Sequence, residues 1–291
     1  MAIDKLQEKI RKMKCPLVVD FGMSEEHIPS EIMEKYSGFV AAYEVFCCEL
    51  LTGLREAVPA VRFDFNMMSC HGAQGLQTLE KLLSFAKKCG YYVLLDGVSC
   101  LSAQSALRNA QSMFSSDCPW CFDGYVLPAY VGSDVIRPFV EKLPESGKDL
   151  FVVVRTGNRS ASEIQDLLTG SRLVHMAVAD ITNRFAENLV GKSGYSQVAF
   201  VAAASSADSL RSLRGKYKSV FLLLDGADYP NANAKNCASA FDRLGHGAVA
   251  SVGVSVTAAW MQSESQNDYV EQAVQAAQRF KKNLGRYISV L

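Results

Sequence analysis

Eight short apolar runs, rich in β-branched residues, recur along this chain: LVVDF (17–21), VRFDF (61–65), YVLLD (92–96), GYVL (124–127), FVVVR (151–155), VAFVA (198–202), VFLLL (220–224) and AVASV (248–252). Near-continuous apolar runs of this length read as strands buried on both faces, the condition of a parallel sheet covered by helices. The segments between them carry helical periodicity, as in Leu76, Leu79, Leu82, Leu83 and Ala86. Eight such alternations predict the α/β class and a single (β/α)8 TIM barrel. Ile3, Leu6, Ile10 and Met13 share one face of an opening helix that would close the bottom, and a last helix is expected at about 266–286. Asp4 is the expected cap of the opening helix, Ser205 or Ser206 that of the helix after the sixth run, and Gly90 the stop before the third. A doubly wound open sheet is the alternative architecture, but no GxGxxG follows the first run.

Nothing divides the chain: no Pro/Gly/Ser-rich linker, charge block or repeat of short period interrupts it, so residues 1–291 read as one domain. With 49% apolar residues, and 30 Lys+Arg balancing 30 Asp+Glu, it lies outside the disordered class. The same balance argues against nucleic acid and against an anionic membrane surface as partners, leaving a small molecule or another protein. No apolar stretch is long enough to span a bilayer and the basic start has no apolar h-region, so a cytoplasmic protein is expected. Nine cysteines, an odd number scattered through a long chain, read as reduced thiols.

In a barrel of this kind the site lies at the carboxyl ends of the strands, and several runs end there in charge. Asp20, Arg62, Asp64, Asp96, Arg155 and Asp225 are the candidates. Period two puts Arg62 and Asp64 on one strand face, so both can point into the mouth. The plain structural alternative is a set of strand-end ion pairs, Arg62 with Asp96 for example, that satisfy one another without a ligand.

The collinear series IDKLQEKIRKMKCPLVV, AVPAVR, GLQTLEKLLSFAKKCGYYVLLDG, AYVGSDVIRPFV, LFVVVRTGN, SEIQDL, GYSQVAFVAAAS and LGHGAVAS resembles the orotidine 5'-phosphate decarboxylase family, in its longer bacterial form, over essentially the whole chain. The resemblance implies a (β/α)8 homodimer with its sites at the subunit interface and no metal or cofactor. It also implies a reaction that converts orotidine monophosphate to uridine monophosphate and carbon dioxide, in pyrimidine biosynthesis. That reaction passes through a vinyl carbanion, which preorganised charge must stabilise and a lysine protonate.

The family's Lys, Asp, Lys, Asp tetrad falls here on Arg62, Asp96, Val98 and Leu101, because the DGKRxD-type motif reads DGVSCL. Arg62 and Asp96 are the only remnants. The ribose-holding aspartate falls on Gly22, two residues after Asp20, and the pyrimidine-contacting serine of TSN is Gly157, next to Thr156. In the phosphate loop, DGADYPNA (225–232), Pro230 stands at the glutamine, and the phosphate arginine falls on Val254. Asp225 and Asp228 stand where the dianion would bind; two solvated like charges at ~4 Å repel by about 1 kcal/mol, and more when partly buried. With scaffold segments matched and seven site positions replaced, the expectation is a degenerate site in a binding or interaction protein. A weak decarboxylase or a repurposed lyase using Arg62, Asp64, Asp96 and Asp225 is the alternative. Asp20, Asp64, Arg155, Thr156 and Asp225 remain the pocket candidates for a small molecule.

Three other features bear chemistry. CPWC (118–121) has the spacing of redox and metal sites, but zinc would need two further ligands that are not written nearby, and a loop of packed thiols is the simpler reading. Cys70 and His71 could meet Cys100 at the mouth as a nucleophile and base, against the commoner role of cysteine as a small hydrophobe. His27, His175 and His246 read as isolated, hydrogen-bonded or solvated.

Overall fold

The structure, a computed structural model, describes residues 1–262 and 268–291. All eight runs become strands: β1 (Leu17–Asp20), β2 (Ala60–Asp64), β3 (Tyr92–Asp96), β4 (Gly124–Pro128), β5 (Asp149–Arg155), β6 (Val198–Ala203), β7 (Leu222–Asp225) and β8 (Ala248–Val252). They pair in parallel in that order, and β8 closes on β1 with Leu17 opposite Ala250. The chain therefore folds as a single (β/α)8 barrel and not as an open sheet.

The pleat sorts each strand between two cores. Outward residues such as Val61, Phe63, Val93 and Leu95 pack under the helices. Inward residues, among them Val18, Ala60, Leu94, Phe151, Val201 and Leu223, fill the barrel together with the helix Ala2–Met13. Ile3, Leu6 and Ile10 of that helix are fully buried against the barrel floor, as the amphipathic pattern requires. Asp4 does not cap this helix; Met1 occupies the cap position, while Asp4 sits in the first turn and accepts from Ser193 N at 2.8 Å. There it still faces the positive end of the helix dipole.

Ser206 stands at the cap position of the helix Ala207–Lys216, but its hydroxyl turns to Ser209 Oγ at 2.8 Å. Gly90 follows the helix Gly72–Lys88 with φ 87°, the left-handed turn that only glycine adopts cheaply. The last helix runs Tyr269–Leu284; the expected start at 266 lies outside the described residues. Between β5 and β6 the chain also forms a small antiparallel hairpin, Leu168–Thr169 with Arg172–Leu173.

Candidate active site at the barrel mouth

Because strand faces alternate, the inward positions at the carboxyl ends are Asp20, Arg62, Asp64, Asp96 and Asp225. Arg62 is the hub. Its Nε and Nη2 donate to the two carboxylate oxygens of Asp96 at 2.8 and 2.7 Å, and Nη1 donates to Asp225 Oδ1. Asp20 Oδ2 lies 3.4 Å from the same Nη1. A bidentate fork is the strongest form of a guanidinium–carboxylate pair, and here a second and a third acid, Asp225 and Asp20, share the same guanidinium.

One guanidinium faces three carboxylates in a poorly hydrated place, and the pKa values respond. Burial pushes Asp20 up to about 7; Arg62 pulls the other way, while Asp96 and Asp225 add repulsion. Burial likewise raises Asp96 above the ordinary carboxylate value, against the pull of Arg62. Burial opposes the charge on Arg62, yet Asp96, Asp20 and Asp225 outweigh it and hold the guanidinium firmly protonated. Desolvation and like charge both favour a proton resident on the acids.

The remaining acids of the mouth are engaged elsewhere. Asp64 Oδ1 accepts from Asn66 N at 2.7 Å and Met67 N at 3.2 Å, capping the short helix Phe65–Ser69. Asp228, in the loop after β7, reaches to the loop after β8: its Oδ2 accepts from Gly253 N at 2.8 Å, Ser255 N at 3.4 Å and Ser255 Oγ at 2.6 Å. Barrels commonly bind phosphate between the loops after these two strands. Here a carboxylate of the chain itself holds the converging donors.

The DGVSCL stretch leaves β3 at Asp96 and turns at Gly97. Gly97 lies so close to Tyr125 that a Cβ would fall 2.0 Å from the ring. Tyr125 Oη accepts from Val98 N at 3.0 Å and donates to Asn109 Oδ1 at 2.7 Å, pinning the turn. Val98 thus follows directly on the ion cluster, while Leu101 is 84% exposed.

Arg155 and Thr156, at the end of β5, form a second network apart from Arg62. Arg155 Nη2 donates to Asp166 Oδ2 at 2.8 Å and Nη1 to Thr156 O at 2.9 Å. Gln165 clamps Thr156 through its backbone N–H and its hydroxyl, at 2.9 and 2.7 Å. His175, buried in the helix Val174–Ala186, puts Nδ1 2.9 Å from Gln165 O and 3.4 Å from Asp166 Oδ1. His175 is therefore hydrogen-bonded, one of the roles expected of it, and not isolated. The sequence signals no site role for Gln165, Asp166 or Ser255: SEIQDL is a matched segment, and nothing in its spacing ties it to Arg155.

Cys70, His71 and Cys100 do not assemble a nucleophile. Cys70 Sγ donates to Asn66 O, Cys100 Sγ to Val98 O, and the His71 ring packs on Phe39. Among the described residues no group of three or more His, Cys, Asp or Glu side chains is placed to hold a metal ion, and no helix is long and apolar enough to cross a membrane.

A closed parallel barrel with charged residues on inward strand ends defines the class: a (β/α)8 barrel with an ion cluster at its mouth. No protein-family model matches the chain. Curated relatives narrow the class. The chain is 27% identical over 233 residues to the orotidine 5'-phosphate decarboxylase of Rhodopirellula baltica, covering 77% of each protein, and 24% identical over 288 residues to that of Clostridium novyi, covering 98% and 99%. Its fold is similar to the solved Leishmania donovani OMP decarboxylase, with a TM-score of 0.71 and 20% identity over 97% of this chain and 98% of that one. The chain is thus a homologue of proteins named orotidine 5'-phosphate decarboxylase.

Proposed function

We propose that this chain is an orotidine 5'-phosphate decarboxylase-like barrel whose mouth no longer decarboxylates orotidine monophosphate and which acts as a binding or interaction protein. One observation carries the reading: Arg62, at the position of the second-strand lysine, is committed to Asp96, Asp225 and Asp20, beside Val98 at the position of the proton donor. A vinyl carbanion needs a cation aimed at it and a proton to accept, and a saturated guanidinium and a valine provide neither. The Asp228 carboxylate among Gly253 and Ser255 adds to this, because a phosphate dianion would have to displace it. Purified protein is expected to show no turnover of orotidine monophosphate by absorbance, no rescue of a pyrimidine-requiring strain, and little heat with uridine monophosphate in calorimetry. Turnover like that of an intact decarboxylase would overturn the reading.

The same reading takes residues 1–291 as one domain, in the cytoplasm, paired as a homodimer through the mouth loops, where Leu101 and Val131 stand exposed. Sedimentation would test the pairing. A repurposed lyase is the second reading, favoured by Asp20: a carboxyl held at about 7 is suited to proton transfer at neutral pH. It requires a ligand that perturbs the Asp20 titration, visible by NMR of the carboxyl carbons.

A further inference from the structure

The CPWC loop follows the helix Ala103–Met113 and precedes β4, and its Trp120 ring meets Phe65 with centroids 5.3 Å apart. It borders a cavity of about 650 Å³, within the range that holds small ligands. All nine cysteines carry free thiols; Cys118 is half-buried at this cavity and Cys121 exposed. Between them and the barrel stands Lys148, whose Nζ donates to Met113 O at 2.7 Å and lies 3.9 Å from the centre of the Phe122 ring. Lys148, Cys118 and Cys121 line this one cavity, and the Cys118 Sγ donates to Trp120 O at 3.8 Å. Lys87 and Lys142 line the same cavity against one acid, Glu145, although Lys87 is itself paired with Asp123.

We propose that Cys118 and Cys121 form a thiol–disulfide exchange site for anionic low-molecular-weight disulfides. The exposed Cys121 thiolate attacks one sulfur of the incoming disulfide; a Cys121–S–S bond forms, the reagent's own S–S bond breaks, and its first thiolate leaves and takes up a proton. The Cys118 thiolate, held beside Lys148, then attacks the Cys121 sulfur. The internal disulfide forms, the second thiolate leaves and is protonated, and two electrons have passed from the cysteine pair to the reagent. Lys148 acts as a positioning residue: a neighbouring ammonium favours the thiolate, the form that attacks.

Glutathione disulfide is the probe, applied to the full reduced chain, with peptide masses and the fluorescence of Trp120 as readouts; Trp260, the second of two tryptophans, is removed by Trp260→Phe. Exposed Cys70, outside this cavity's lining, is the internal comparison. The expected product is a Cys118–Cys121 disulfide formed before Cys70 is modified. Cys118→Ser is expected to trap glutathione on Cys121, and Cys121→Ser to leave Cys118 reacting no faster than Cys70. Lys148→Met, and Lys148→Gln as a polar check on folding, are expected to slow closure of the internal bond about tenfold near neutral pH, with recovery in alkali. Mixed disulfides that persist on both cysteines, or Cys70 reacting first, would overturn the proposal.

Discussion

Arg62 sets the electrostatics of the mouth, and its removal should be felt first as instability. Truncation by Arg62→Met leaves Asp20, Asp96 and Asp225 without their shared cation, and breaking a buried pair from one side costs about 3–5 kcal/mol. Urea denaturation at pH 7 is expected to show a loss of that size, narrowing at pH 5, where the acids take up protons and no longer repel. Asp20 makes a prediction of opposite form. Its folded pKa of about 7 exceeds the unfolded value, so between about pH 4 and 7 the folded state binds more protons than the unfolded state. Stability at this site is therefore full below pH 4 and is lost as pH rises through 7. Asp20→Asn should remove that slope, so the Tm difference between variant and wild type should grow in the variant's favour from pH 4 to 8; Asp96, Asp225, Arg62 and Tyr229 are the charged or titratable neighbours that share the response. A flat difference would show that Asp20 titrates normally. That the strand-end charges face inward was legible from period two, and the Arg62–Asp96 pair expected from it is present. Asp225 and Asp20 as further partners were not legible: Asp225 lies 163 residues from Arg62, and periodicity assigns a face, not a neighbour.

At the scale of elements, legibility followed burial. All eight strands are apolar on both faces and stood out as runs, whereas the hairpin at Leu168 and Arg172 is exposed, buries no stripe, and depends on the turn at Gly170 with φ 67°. The Asp4 and Ser206 capping expectations failed for a related reason: a short polar side chain near a helix start has several donors and acceptors in reach, and tertiary partners, Ser193 and Ser209, won. The loops at the mouth are held by similar cross-links. Asp228→Ala would leave Gly253 N and Ser255 N without their acceptor and untie the loops after β7 and β8, at a cost of about 1–3 kcal/mol in thermal unfolding. Gly97→Ala tests the turn after β3. A methyl group there meets the buried Tyr125 ring, and overpacking of that kind costs about 1–3 kcal/mol; a change in near-ultraviolet circular dichroism should accompany it, since the Tyr125 ring must shift.

Across the whole molecule, fold and chemistry rest on different residues. Barrel closure depends on inward Val18, Leu94, Val201 and Leu223 and on the helix Ala2–Met13 beneath them, an apolar set below the ion cluster. Such a scaffold separates what keeps the fold from what stands at the mouth, so relatedness along the whole chain carries the barrel and not by itself the chemistry. Decarboxylation by electrostatic preorganisation is not restored from one position, because its groups act as a unit and a lone correct residue has no field to work in. Val98→Lys is therefore expected to yield no measurable decarboxylation of orotidine monophosphate. The new ammonium would find Asp20, Asp96 and Asp225 already gathered around Arg62 and would add to that ion cluster, with Asp228 still bonded to Gly253 and Ser255. Absorbance assays of Val98→Lys alone, and of Val98→Lys combined with Arg62→Lys, Leu101→Asp and Asp228→Gly, distinguish the two cases: activity in the single variant would mean that the mouth had stayed preorganised for the reaction, and activity confined to the combined variant would mean that the field itself had to be rebuilt.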